Sequence, residues 1–211
     1  MHFRPRWHPS LWFSVHAPVV AVAPMAQPEA EPTMSVTEAP PVRFSVGADT
    51  QVFSGGFSVG AQASVEGDVL GLFVEGAGVA LAADDGSYRW DRLGLASAHL
   101  SVAVLASDSA RLRLLGGVDS VFAPDLIVAG PSLGIGGVVW LVGPLALEGS
   151  TTATFWPHLQ VDARANLALG FGPLAFRIGA RALWLDDRGL VDGVAHGDLL
   201  VGPSAGFSLV F

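Results

Sequence analysis

The chain has 211 residues, of which 51% are hydrophobic and only 14% charged, and it contains no cysteine. Disulfide staples, thiol catalysis, cysteine metal sites and lipid attachment through cysteine are therefore excluded. The net charge is −8 and every Lys+Arg position is an arginine, so the chain lacks the basic run that nucleic-acid binding uses. With 26 glycines and 14 prolines beside so few charges, a helical protein is not expected. No uninterrupted apolar stretch of about 18 residues follows the N-terminal region, which argues against a helical span. An apolar composition without apolar runs means that hydrophobic residues are spread by alternation.

Residues 1–26 have the pattern of a signal peptide. Arg4 and Arg6 supply a positive start, and Leu11–Ala26 an apolar stretch interrupted by His16, Pro18 and Pro24. Ala21-Val22-Ala23 is the small-x-small site, and a disordered leader is the competing reading. Residues 27–41, rich in Pro, Glu and Thr, predict a flexible linker.

From Val42 the period switches to two and stays there. Phe44, Val46, Ala48 and Val52 alternate with Arg43, Ser45, Gly47, Asp49 and Gln51, and a tight turn at Ser54-Gly55-Gly56 follows. The second strand sets Phe57, Val59, Ala61, Ala63 and Val65 against Ser58, Gly60, Gln62, Ser64 and Glu66, which makes a hairpin. Glu66-Gly67-Asp68 turns the chain into a third strand, about 69–82, whose polar face is marked by Glu75. After a loop at Asp84–Arg92 the fourth strand opposes Ala98, Leu100, Val102 and Val104 to Ser97, His99 and Ser101. The fifth sets Arg111, Arg113 and Asp119 opposite Leu112, Leu114 and Val118, and a loop at about 121–130 leads to the sixth, with Leu133, Ile135, Val139 and Leu141.

Gly143-Pro144 then turns the chain into the seventh strand, where Glu148, Ser150, Thr152 and Thr154 oppose Leu145, Leu147, Ala153 and Phe155. Beyond a loop at Trp156-Pro157-His158, the eighth alternates Gln160, Asp162, Arg164 and Asn166 with Val161, Ala163, Ala165, Leu167 and Leu169. The ninth carries Arg177, Gly179 and Arg181 opposite Leu174, Phe176, Ile178, Ala180 and Trp184. A loop at about 186–200 precedes the tenth, whose outer row is Ala205, Phe207, Leu209 and Phe211. Ten strands result, with connections expected to alternate strictly between short turns and longer loops. Gly130-Pro131-Ser132 and Gly202-Pro203-Ser204 echo each other and are expected to open descending strands.

Alternation alone does not say which face points inward, because a soluble barrel alternates too. The polar face, however, pairs Arg with Glu or Asp and uses no Lys, which suits a confined lumen. The apolar face carries no charge in the well-alternating strands, as a cost of about 2–4 kcal/mol for a lipid-facing Arg would require. Aromatics gather at predicted strand ends: Phe53, Phe57, Tyr88, Trp90, Phe122, Phe155, Trp156 and Trp184 at the loops, and Phe44, Phe171, Phe176 and Phe211 at the turns. They read as interfacial girdles, Trp90, Trp156, Trp184 and Phe171 above all.

The terminal Ala205/Phe207/Leu209/Phe211 row and the alternating strands before it resemble those of small bacterial outer-membrane β-barrel proteins, similar in general plan to the OmpA/OmpX-like barrel superfamily. The resemblance covers residues 42–211. It implies an all-β fold, a closed antiparallel up-and-down transmembrane β-barrel of about ten strands, with short periplasmic turns and longer extracellular loops. It also implies outer-membrane localisation in a Gram-negative bacterium. The terminal row becomes a signal to the barrel-assembly machinery, and the lipid partners are outer-membrane lipid and lipopolysaccharide. A monomer is expected, without nucleic acid.

The inward face then comprises Arg43, Asp49, Glu66, Glu75, His99, Arg111, Arg113, Asp119, Glu148, Asp162, Arg164, Arg177 and Arg181, six acids against six arginines and one histidine. A charge-paired structural lumen is the leading reading, since buried charges require partners. A narrow polar channel for small solutes is the alternative, because charged rings set pore selectivity. A third reading is an enzyme acting on peptide or lipid at the rim. The omptins, ten-stranded outer-membrane proteases, resemble this chain in strand number, and Asp84, Asp85, His158, Asp186, Asp187 and His196 fall in loops. No pair among them has a recognisable family spacing, and no cofactor or metal ligand set is expected.

Overall fold

The computed structural model describes residues 42–82, 90–124 and 126–211. The leader, the linker, Tyr88, Asp84 and Asp85 lie outside them. Wherever the sequence alternates, the backbone is extended, and ten strands result. They are β1 Arg43–Phe53, β2 Gly56–Glu66, β3 Leu70–Ala82, β4 Trp90–Ala106, β5 Ala110–Ala123, β6 Leu126–Val142, β7 Leu145–Thr154, β8 Leu159–Phe171, β9 Leu174–Asp186 and β10 Gly197–Val210. Each pairs antiparallel with its sequence neighbours, and β10 pairs with β1 to close the sheet. Closure removes the unpaired strand edges that hydrocarbon would not tolerate. At the seam Phe44 N–H donates to Phe211 O at 3.2 Å and Phe211 N–H to Phe44 O at 2.8 Å.

That seam ends at the rim where β1 begins, with the turns 67–69, 107–109, 143–144 and 172–173; this is the turn end. The loop end carries the longer connections 155–158 and 187–196. It also carries the two-residue turn 54–55, so the expected strict alternation of short and long connections does not hold. Pairing continues through Phe122↔Ile127 and Ala123↔Leu126, which leaves no room for a loop at 121–130. Likewise β10 starts at Gly197, ahead of the expected loop boundary, because Gly197–Leu200 pair with Leu183–Asp186. Gly55, Gly143 and Gly172 take the left-handed backbone that tight turns require (φ 83°, 56° and 68°).

The two Gly-Pro-Ser echoes lie inside β6 and β10 and do not open them. Their glycines mark close approaches between strands. A Cβ on Gly202 would fall 1.8 Å from Val52 O, and one on Gly130 2.0 Å from Trp156 O.

The faces are inverted relative to a barrel made for water. Outward positions are apolar and exposed, for example Leu100 (68%), Leu133 (67%) and Ile178 (64%). The charges point in. Outside, Phe57 stacks edge-on against Trp90 at 5.9 Å near the loop end, and Phe171 against Phe176 at 6.4 Å near the turn end. Trp156, Trp184, Phe122, Phe155, Phe44 and Phe211 are exposed with them. Phe53 is the exception. It is buried inside the barrel and not part of the girdle, because it shares the inward parity of Asp49 and Gln51.

The interior is layered. At the loop end Phe53, Val79, Leu95, Val121, Val128, Leu183, Leu185 and Leu200 form one apolar cluster. The lumen is therefore not polar along its whole length. Ionisable side chains fill the middle and the turn end, where Trp140 also packs on Val138, Ala146 and Ala168.

Candidate functional site

All thirteen ionisable residues expected in the lumen lie on inward positions, and the closed sheet joins most of them in pairs. In the middle, Arg164 Nη2 meets Asp162 Oδ2 at 2.8 Å and also bonds Glu75 Oε1. Arg181 Nη2 meets the same Asp162 oxygen at 2.7 Å and Glu75 at 3.6 Å. Glu75 comes from β3 and the arginines from β8 and β9, so this group spans the cylinder. Gln51, buried beside it, donates to Arg181 O at 2.9 Å and Leu200 O at 3.4 Å.

A second middle group joins β4, β5, β6 and β7. His99 Nε2 lies 2.7 Å from Ser132 Oγ and 3.4 Å from Asp119 Oδ1, and Thr154 Oγ1 donates to Asp119 Oδ2 at 2.9 Å. A serine, a histidine and an aspartate in contact suggest a nucleophilic relay. Such a relay needs the carboxylate on one ring nitrogen and the hydroxyl on the other. Here both face Nε2, and all three residues are buried. The group is a structural hydrogen-bond cluster.

Toward the turn end, Arg177 Nε donates to Glu148 Oε2 at 2.8 Å and its Nη1 to Ser208 Oγ at 2.9 Å. Arg113 sits 3.9 Å from Glu66 and donates to Ser101 Oγ at 3.1 Å. Arg113 also donates to Gly67 O at 2.8 Å, and Arg111 to Asp68 O. Two carbonyls of the 67–69 turn are thus tied to arginines of β5 at the turn end. Gly71 makes room for this, since a Cβ there would fall 2.7 Å from Ser101 Oγ and 3.2 Å from Arg113 Nη1. Arg43 stands opposite Glu66 in register at the rim. Asp49 faces Gly60, where a Cβ would fall 2.8 Å from its Oδ1.

Two small cavities remain among these side chains. One of about 30 Å³ borders His99, Asp119, Glu75 and Arg164, and one of about 50 Å³ borders Asp49, Glu148, Arg177 and Asn166. Each has space for only a few waters.

No family model and no curated protein matches the chain. Among solved structures it is similar to the outer membrane protease OmpT of Escherichia coli, at 9% identity and a TM-score of 0.39, covering 81% of this chain and 96% of that one. It is also similar to a major outer membrane protein of Thermus thermophilus, at 11% identity and a TM-score of 0.39, covering 81% and 100%. A third likeness is to Neisserial surface protein A, at 13% identity and a TM-score of 0.38, covering 81% and 96%.

The rim residues weighed for catalysis are engaged in holding the loops. Asp187 Oδ1 accepts the N–H of His196 at 2.8 Å and of Gly189 at 2.9 Å, and these bonds hold its carboxyl below the usual range. Asp192 accepts the Val194 N–H at 2.9 Å and faces His196 Nε2 at 3.3 Å, and its carboxyl is lowered likewise. Asp186 accepts the Arg188 N–H at 2.8 Å. His158 Nε2 faces Gln160 Oε1 at 3.4 Å, and burial lowers its affinity for a proton. His158, His196, Asp186 and Asp187 do border one loop-end cavity.

Residues that the sequence reading passed over include Gln51, Ser132, Thr154 and Ser208, which supply neutral donors and acceptors to the charged groups. Parity was the available signal, since all four lie on inward positions.

Proposed function

We propose that the protein is an integral outer-membrane barrel whose lumen is a structural core and does not conduct. The observation that carries this reading is the lumen's filling. A belt of paired charges lies beneath an apolar layer, and the voids in the belt are about 30 and 50 Å³. An ion entering from the loop end would have to cross the apolar layer, a barrier of the kind that gates pores by excluding water. Its exterior is suited to outer-membrane lipid and lipopolysaccharide. The exposed row Ala205, Phe207, Leu209 and Phe211 at the closing seam has the pattern read by the barrel-assembly machinery. Planar-bilayer recording of the folded protein, checked by heat-modifiable migration in detergent gels, is expected to show no unitary conductance. Discrete, reproducible channel steps would replace this reading with the polar channel.

A further inference from the structure

Bordered in part by the apolar interior layer, the loop end holds a cavity of about 280 Å³. Its walls include Val121, Leu126, Val128, Leu185 and Val191, and Asp186, Asp187 and Asp198 also border it. His158 lines it too. That residue is 3% exposed, and its Nδ1 has no hydrogen-bond partner among the described residues. Gln160 Oε1 faces Nε2 at 3.4 Å, and Nε2 donates to it when it carries the ring proton. Nδ1 is then a buried acceptor lacking a donor. Asp186 and Asp187 use backbone N–H bonds to fix the loop, yet their charge stays at the cavity. Arg188, the cation of the same loop, is exposed.

Three carboxylates disfavour an anion, and the apolar wall favours a ligand with an apolar body. We propose that this cavity binds a small amphipathic organic cation, its apolar body against Val121, Leu126 and Val128 and its ammonium toward the carboxylates and His158. An ammonium supplies the N–H donor that His158 Nδ1 lacks, and the carboxylates attract its charge. By comparison with apolar cavities that hold benzene, the volume suits a body of about ten heavy atoms. The proposal is independent of whether the lumen below conducts.

Calorimetric titration of the full chain, folded in a zwitterionic detergent, tests it with phenethylammonium, phenylacetate and phenethyl alcohol. One saturable site is expected, about tenfold tighter for the ammonium than for phenylacetate. Leu126→Trp fills the cavity and is expected to weaken ammonium binding about tenfold. Val191→Trp, in the loop outside the strands, is expected to do the same without disturbing the barrel. Asp198→Asn removes a bordering charge and is expected to weaken the ammonium about threefold while leaving the alcohol unchanged. Equal binding of phenylacetate, non-saturating uptake into micelles, or unchanged binding in both tryptophan variants would overturn the proposal. Gel mobility before and after heating verifies that each variant is folded.

Discussion

Arg164 and Arg181 stand directly opposite each other in the β8–β9 register, and one oxygen of Asp162 binds both, at 2.8 and 2.7 Å. Like charges facing each other across a strand pair repel, so the pairing depends on the acids placed against it. Asp162 on β8 and Glu75 from β3 supply that charge. The register of this strand pair and the closure of the barrel therefore stabilise the same four side chains.

Removing one acid should expose that dependence. Asp162→Ala leaves two buried guanidinium groups sharing Glu75 alone, and a loss of about 3–5 kcal/mol is expected. Urea unfolding of the micelle-bound protein, followed by gel mobility, measures it. A loss below about 1 kcal/mol, the worth of an exposed pair, would mean that water reaches this group freely.

The inverted exterior makes a depth-dependent prediction. Ile178 lies midway along β9 and is 64% exposed. Ile178→Arg is expected to cost about 2–4 kcal/mol in a bilayer, and Trp184→Arg near the loop end about 0–1 kcal/mol. Equilibrium folding into lipid vesicles compares the two. Equal, negligible costs would show that this surface faces water.

The serine of the buried cluster is expected to be inert. Ser132 Oγ and Asp119 Oδ1 both face His99 Nε2, and Nδ1 has no hydrogen-bond partner among the described residues, so no carboxylate orients the imidazole to take the hydroxyl proton. A fluorophosphonate reagent should leave the folded protein unlabelled. Labelling lost in Ser132→Ala would contradict the structural assignment.

The 187–196 loop should keep its order in mild acid. The carboxyls of Asp187 and Asp192 are held below their usual range by backbone N–H donors. A depressed folded-state value stabilises the loop above the ordinary carboxylate value, and the effect is lost as pH falls through the folded value. Carboxyl carbon NMR titration is expected to show both midpoints below those of unstructured aspartates. Asp187→Asn should loosen the loop toward protease at neutral pH. Ordinary midpoints would mean that these bonds do not persist in solution.

Much of this was legible from period two. The number of strands, the tight turns at Gly55 and Gly143, and the inward side of the thirteen charged residues named from it follow from alternation and glycine chemistry. Carrying the same parity to the strand ends would also have turned Phe53, Leu183 and Leu185 inward. Phe53 reads as a girdle residue because an aromatic side chain suits an interface as well as a core. The extra pairing of 121–130 was hidden for another reason. Gly130 and Pro131 carry the composition of a loop, and only the paired neighbour strands hold that stretch extended.

By itself the sequence determined which residues share a face, since successive side chains on a strand must point to opposite sides. It could not determine which charges meet. Glu75 and Arg164 are 89 residues apart, and nothing local sets their contact. Closure of β10 onto β1 decided it, by curving the sheet until side chains from opposite walls reached each other.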